Sequence, residues 1–278
     1  MTPPPDEQTA LALELACDAA RQIATHRAQT ITTKAHAADL VTELDTSIEQ
    51  TVRAAVAARF PEHRFVGEEF GATGADDASI SWYCDPVDGT TNFAHDLGWS
   101  SFSLCARDST GPAWGVIAHP TRREVLVGQR GGGAWRIALD EHFRPTQEWE
   151  PLRASSTTSL AGTVFTTELL SHRPWPGTSA MIGLLADRSC TARIMGSSAL
   201  TLAQVGAGRA AGAIIGRFSP IDNQAAILIG LEAGARCLDE SGQDTTWPAG
   251  GGVLLAAPGV ADELSELWRQ AREAASET

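Results

Sequence analysis

Lysine is almost missing from this chain: Lys34 is the single one in 278 residues, and arginine carries the other positive charges. Positive charge as a whole is scarce, with 21 Lys and Arg against 34 Asp and Glu, a net charge of −13. That balance leaves no excess for a basic face and argues against a nucleic-acid partner or an anionic membrane surface. No stretch comes near the roughly 20 apolar residues that cross a bilayer. Residues 1–7 have neither the basic nor the apolar part of an export signal. The five cysteines, Cys17, Cys84, Cys105, Cys190 and Cys237, are odd in number, scattered, and form no C-x-x-C pair. They read as reduced core thiols, and the expectation is a cytoplasmic protein. There is no G-x-S-x-G elbow and no H-E-x-x-H zinc helix. Gly131-Gly132-Gly133 lacks the Lys-Ser/Thr of a phosphate loop, so it reads as a hairpin turn. Gly206-Ala207-Gly208 reads as a helix C-cap, not a dinucleotide fingerprint.

What is present suffices for one large domain or two smaller halves, with 43% apolar and 6% aromatic residues. Leu11, Leu15, Ala19 and Ile23 recur every four residues and predict an amphipathic helix over 7–28. Leu44, Ile48, Val52 and Val56 do the same over 42–59, and Phe60-Pro61 ends that helix. Short β-like runs follow at 64–67, 81–84, 101–106, 114–119 and 124–128, separated by Gly, Pro or Asp, which predicts a mixed or antiparallel sheet. The polar segment 140–155, with Pro145 and Pro151, is the candidate boundary between an N-terminal α+β half (1–150) and a C-terminal α/β half (151–278). In the second half, strands at 163–167, 210–215 and 253–257 alternate with helices at 197–207, 223–233 and 260–274.

Acidic residues at the edges of these elements carry the chemistry. The most informative stretch is Asp85-Pro86-Val87-Asp88-Gly89-Thr90-Thr91. It places two carboxylates and a free carbonyl at a strand end, which suits hard divalent cations. The Gly-Thr-Thr step that follows can open a helix whose amides accept an anion. Asp39 through Asp45, Gly67-Glu68-Glu69 and Pro220-Ile221-Asp222 are the other acidic edges. Each alone reads as a cap or a solvated turn. An acidic protein acting on an anion would need metal to reverse its field.

In order along the chain stand Lys34, Asp39-Leu-Val-Thr-Glu-Leu-Asp45, Gly67-Glu68-Glu69, Asp85-Pro-Val-Asp88-Gly-Thr90-Thr-Asn-Phe, Gly196-Ser-Ser-Ala, Asp222 and Glu232-Ala-Gly234. This series resembles the inositol monophosphatase family, the Mg2+-dependent, lithium-sensitive phosphatases. The resemblance implies a layered α-β-α-β-α sugar-phosphatase fold, a homodimer, and hydrolysis of a small phosphorylated metabolite by metal-activated water. It assigns Glu68, Asp85 and the Val87 carbonyl to one Mg2+, and Asp85, Asp88 and Asp222 to a second. Glu68 would also help with a loosely held third ion, and Mn2+ is an alternative occupant. Asp45 and Thr90 match the pair that orients and deprotonates the attacking water, with Glu68 beside them. The Gly89 and Thr90 amides would receive phosphate oxygens. Lys34, Gly196, Ser197 and Arg217 are the remaining substrate-side candidates, while His95 is a weaker one.

Two positions depart from the family pattern. Ile221 precedes Asp222 where the family has Trp, and Ile215 stands where the inositol enzymes have a glutamate that contacts inositol hydroxyls. A site that reads hydroxyls loses discrimination without its polar partner. Inositol 1-phosphate remains the family default, with histidinol phosphate, fructose 1,6-bisphosphate and 3′-phosphoadenosine-5′-phosphate as alternatives. A non-catalytic metal- or phosphate-binding protein on the same fold is the rival reading. A calcium-binding structural domain fits less well, because no 12-residue EF-hand loop is present.

Overall fold

The computed structural model describes residues 6–34, 40–169 and 173–276. The chain opens with α1 (Glu7–Thr25), whose first turn is capped by Asp6 accepting from the Thr9 amide at 2.7 Å. A small antiparallel pair, β1 (Ile31–Thr33) and β2 (Leu40–Thr42), leads into α2 (Glu43–Arg59). Then follow β3 (Arg64–Gly67), β4 (Gly71–Thr73), β5 (Ser81–Asp88), the short α3 (Thr90–Ala94), β6 (Ser101–Asp108), β7 (Gly111–His119), β8 (Glu124–Gln129), β9 (Gly133–Leu139) and β10 (Pro145–Pro151). The rest is β11 (Val164–Thr167), α4 (Thr178–Ala186), β12 (Thr191–Ile194), α5 (Ser198–Gly206), β13 (Gly212–Ile215), α6 (Pro220–Glu232), β14 (Arg236–Asp239), β15 (Val253–Ala256) and α7 (Ala261–Ser276).

The strands form an eight-stranded sheet, in the order β10-β9-β8-β7-β6-β5-β3-β4, and a five-stranded sheet, β12-β11-β13-β15-β14. The larger sheet is antiparallel except where β3 runs parallel to β5. In the smaller one β11 is parallel to β12 and β13, while β15 runs antiparallel to β13 and β14. Three apolar clusters fix the layering. One packs Leu11, Leu15, Ile48 and Val52 of α1 and α2 onto Trp82, Phe102 and Val116 of the large sheet. A second sandwiches α5 and α6 between the sheets, through Leu200, Leu202, Ala225 and Ile229 against Ile117, Leu126 and Leu255. The third covers the outer face of the small sheet with Met181 and Leu185 of α4 and Leu264 and Trp268 of α7. The result is the expected α-β-α-β-α stack.

Several elements differ from the sequence reading. Residues 145–151 are polar yet form the edge strand β10, paired with β9 and exposed at most positions. An edge strand needs no apolar face when one side is water. α4, β12 and β14 were not expected from periodicity; β12 is a largely exposed edge strand. α6 starts at Pro220 rather than at 223, since proline is at home in a first helical turn. β5 runs on to Asp88 instead of ending at 84. The three-glycine hairpin turn is confirmed, with the Gly132 amide bonded to the Gln129 carbonyl, and the Glu232 carboxylate accepts from the Gly131 and Gly133 amides. α5 ends at Gly206, with Gly208 at φ +69, as a C-cap requires.

Candidate active site

The site begins with an irregularity in β5. Against β6, Asp85 pairs with Ser103 and Asp88 with Ser101, so three residue steps on one strand oppose two on the other. In a regular strand residues three apart point to opposite faces. The extra residue bulges out and turns Asp85 and Asp88 to the same side. Pro86, which has no N–H to offer a ladder, sits inside the bulge. The Val87 side chain is buried in the first core cluster, while its amide donates to Asp85 Oδ1 at 3.0 Å. Gly89 follows at φ +84, and a Cβ there would lie 2.8 Å from the Gly196 carbonyl oxygen and 2.9 Å from that of Trp99. Only glycine fits this turn.

Asp88 is wired to the start of α5. Its carboxylate accepts from the Ser198 amide at 3.0 Å, the Ala199 amide at 2.8 Å and the Ser197 hydroxyl. Asn92 adds a second tie, its side-chain amide donating to the Trp99 and Met195 carbonyls at 2.7 Å each. Asp45, on the first turn of α2, accepts from the Thr42 amide at 3.0 Å and the Thr42 hydroxyl in a capping box. The Thr90 hydroxyl lies 3.1 Å from Asp45 Oδ1 and 2.9 Å from the Val87 carbonyl oxygen. Glu68 follows β3 and meets Lys34 Nζ at 2.8 Å, while Glu69 meets the same ammonium at 2.6 Å. Asp222 occupies the first turn of α6.

A cavity of about 870 Å³ opens on this assembly, lined by Glu68, Asp88, Gly89, Thr90, Gly196, Arg217 and Asp222, among others. The structure thus brings Asp45, Glu68, Asp85, Asp88, Thr90 and Asp222 to one end of the large sheet, with Lys34 beside Glu68. Ser197 is buried, and its hydroxyl braces Asp88. His95 is exposed at the end of α3 and does not line the cavity. Asp39 lies outside the described residues.

The electrostatics are those of crowded, dehydrated carboxylates. Burial, then Glu68, Asp88 and Asp222 in that order, push Asp85 well above the usual carboxylate range. Burial, followed by Asp88 and Glu68, raises Asp222 to about 7. Asp88 and Asp45 are also raised, chiefly by burial against the hydrogen bonds that favour their ionised forms. Burial opposes charge on Lys34, but Glu68 and Glu69 outweigh it and hold its pKa above the ordinary value. Uncompensated negative charge of this density is what a hard cation relieves, and carboxylates plus a carbonyl are its preferred donors. As the side chains stand, no three of the described acidic groups converge on one point tightly enough to grip an ion. Glu68 is paired with Lys34 and Asp88 with the first amides of α5, and the donor set fits a hard divalent ion by its chemistry.

Two functional neighbours were missed by sequence reasoning. Glu49 is fully buried, and its carboxylate accepts from the Glu69 amide at 2.6 Å, the Phe70 amide at 3.1 Å and Arg53 at 2.7 Å. It fixes the turn that carries Glu68, and Gly67 lacks a Cβ because one would overlap that carboxylate at 2.1 Å. The available signal was an acid four residues after Asp45, on the stripe of Leu44, Ile48 and Val52 that packs inward. Glu168 follows β11 as Glu68 follows β3, and lines the cavity. It accepts from the Gly196 amide at 3.1 Å and the Thr201 hydroxyl at 2.5 Å, and burial raises its pKa to about 7.

Fold and site together define an acid-rich, layered α/β phosphatase of the sugar-phosphatase type. The family model described as "Inositol monophosphatase family" matches residues 5–275. Human inositol monophosphatase 2 is 34% identical over 263 residues, covering 87% of each chain. Nus factor SuhB of Pasteurella multocida is 33% identical over 228 residues, 81% of each. Among solved structures, an IMPase from Thermotoga maritima superposes with a TM-score of 0.84 at 26% identity, covering 97% of this chain and 99% of that one. The chain belongs to the inositol monophosphatase family, and it is a phosphoric monoester hydrolase. The family as a whole is Mg2+-dependent.

Proposed function

We propose that this protein hydrolyses a small phosphorylated metabolite with two or three Mg2+ ions held by Glu68, Asp85, the Val87 carbonyl, Asp88 and Asp222. The observation that carries this reading is that Glu68, Asp88, Thr90 and Asp222 line one cavity, with Asp85 close enough to feel their charge and the Thr90 hydroxyl bonded to Asp45 and the Val87 carbonyl. Bound there, the ions would offset the charge of the ester dianion, acidify a water and stabilise the leaving alkoxide. The chain's own residues do the rest. Asp45 and the Thr90 hydroxyl, 3.1 Å apart, orient the attacking water. Asp45 takes up its proton, helped by a basicity that burial has raised. The Gly89 and Thr90 amides steady the phosphate oxygens on the left-handed turn at Gly89. Asp88, braced by Ser197, Ser198 and Ala199, keeps its position without solvent.

Inositol 1-phosphate is the first ester to assay. A phosphate-release measurement in Mg2+, repeated with the metal chelated, tests the reading. Release that persists after chelation would remove metal from the mechanism. The reading includes a homodimer in the cytoplasm, checked by sedimentation and fractionation. The expectation of no nucleic-acid partner rests on net charge, and a relative's printed name of Nus factor weighs against extending it. No helix among the described residues is long and apolar enough to cross a membrane.

A further inference from the structure

α6 is an apolar helix that carries two buried amides next to its acid. After Asp222 come Asn223 and Gln224, both fully buried, and then Ala225-Ala226-Ile227-Leu228-Ile229. Asparagine is a poor helix former, and a buried amide costs stability unless its polar atoms are bonded. Gln224 meets part of that demand: its Nε2 donates to the Thr246 carbonyl at 3.1 Å, while its Oε1 has no partner among the described residues. Asn223 meets it at both ends. Its Oδ1 accepts from the Ser219 amide at 2.8 Å, and its Nδ2 donates to the Ser198 hydroxyl at 2.9 Å. A backbone N–H can face only the oxygen of a side-chain amide, so the orientation of this one is fixed.

These two bonds join the carriers of two acids. Ser219 is the N-cap of α6, just ahead of Asp222, and its own side chain makes no cap bond. Asn223 Oδ1 holds that turn from inside the helix instead. Ser198 opens α5, and its amide donates to Asp88 Oδ1 at 3.0 Å. Because the Ser198 oxygen accepts from Asn223, its proton is free to face Asp88 Oδ1, 3.5 Å away. The series Ser219, Asn223, Ser198, Asp88 therefore runs from the first turn of α6 to the end of β5. The body of α6 is seated by close glycine contacts: a Cβ on Gly115 would lie 2.8 Å from Ala225 Cα, and one on Gly128 3.0 Å from Ile229 Cα. Among the hydrogen bonds of the described residues, Asn223 is the tie between the first turn of that helix and the start of α5.

Resting on the phosphatase reading above, we propose that Asn223 is a positioning residue of this site: its amide sets Asp222 against Asp88, so that the two carboxylates stand ready for a divalent ion. Hydrogen-bond partners of ligating carboxylates govern where the ligands stand, and losing one weakens metal binding roughly 10- to 100-fold. The brace has something to resist. Asp88 and Asp222 are near enough to repel each other when both are charged, and a helix frays first at its ends.

The test compares wild type with Asn223→Leu, which keeps the volume, with Ser198→Ala, and with the double variant. Mg2+ binding is read by calorimetry and by the rise in thermal midpoint that Mg2+ produces, and turnover by phosphate release from inositol 1-phosphate. Asn223→Leu should weaken Mg2+ binding about tenfold and Ser198→Ala about threefold. The double variant should bind no more weakly than Asn223→Leu, because both changes cut the same brace. A purely structural amide would lower the metal-free thermal midpoint and leave Mg2+ binding as it was. That result overturns the inference, as does a double variant whose two losses multiply. If Asn223→Leu fails to fold, Ser198→Ala decides alone, and unchanged Mg2+ binding in it overturns the inference. A wild type that releases no phosphate in Mg2+ brings down the phosphatase reading and the inference with it; a wild type that does so, with variants that bind Mg2+ equally well, brings down only the inference.

Discussion

The two sides of the cavity are built on opposite plans. On the acidic side nearly every functional group is tied to backbone from another element. Asp88 holds the first amides of α5, Asp45 closes the capping box of α2, and Glu49 on the same helix holds the turn that carries Glu68. On the opposite side the polar groups are few, the surface is aliphatic, and the single cation, Arg217, has no partner among the described residues. The acidic side spends folding stability on crowded charge, and its geometry is over-determined as a consequence. The other side is tolerant, because aliphatic side chains can be exchanged at modest cost when volume is kept. Chemistry and substrate choice are thus carried by regions with different freedom to vary.

The sharpest way to break this contrast is Asp85→Asn. Losing the shared carboxylate should lower turnover by ~10³-fold or more, the scale of several kcal/mol of charge stabilisation. Circular dichroism should stay native, and near-normal phosphate release in that variant would refute the role given to Asp85. Glu49→Ala probes the support under Glu68. It strands the Glu69 and Phe70 amides and leaves Arg53 without its buried partner, so stability should drop by about 3 kcal/mol in urea unfolding. The Mg2+ concentration for half-maximal activity should rise with it, and an unchanged midpoint in both measurements would show that the turn holds itself.

Glu168→Gln sharpens the comparison at the seam between the two sides. Burial lifts the native Glu168 carboxyl to about 7, above the ~4.3 of an unfolded chain. The native state therefore holds this proton more tightly. The stability it contributes is fully present below about pH 4 and is lost as pH rises through 7. Wild type should lose up to ~3 kcal/mol relative to Glu168→Gln between pH 4 and 8, read as diverging thermal midpoints. Parallel pH profiles would show that Glu168 titrates normally.

Much of the site was legible in the order of its acids. Asp45, Glu68, Asp85, Asp88, Thr90 and Asp222 can be picked out by residue type and by their place at the ends of elements, and the structure gathers them. The helices α1 and α2 were legible because one face of each packs inward and repeats every three to four residues. β10 was not, since its residues are polar on both faces and only pairing with β9 makes it a strand. Glu49 and Glu168 were hidden for a related reason: a buried acid looks like an exposed one until its amide partners, 20 and 28 residues away, are placed.

By itself, the sequence determined the donor chemistry: hard oxygen ligands at the edges of elements, one lysine near them, and an isoleucine at position 215. Residue type sets what an atom can bind, whatever surrounds it. Tertiary structure alone decided the rest. The register shift in β5 turned Asp85 and Asp88 to one face, and burial raised their proton affinity. Packing between the two sheets brought Arg217 and Asp222 opposite the loop at Gly89. Direction, dehydration and the meeting of distant segments are properties of the folded chain, because each depends on atoms far away in sequence.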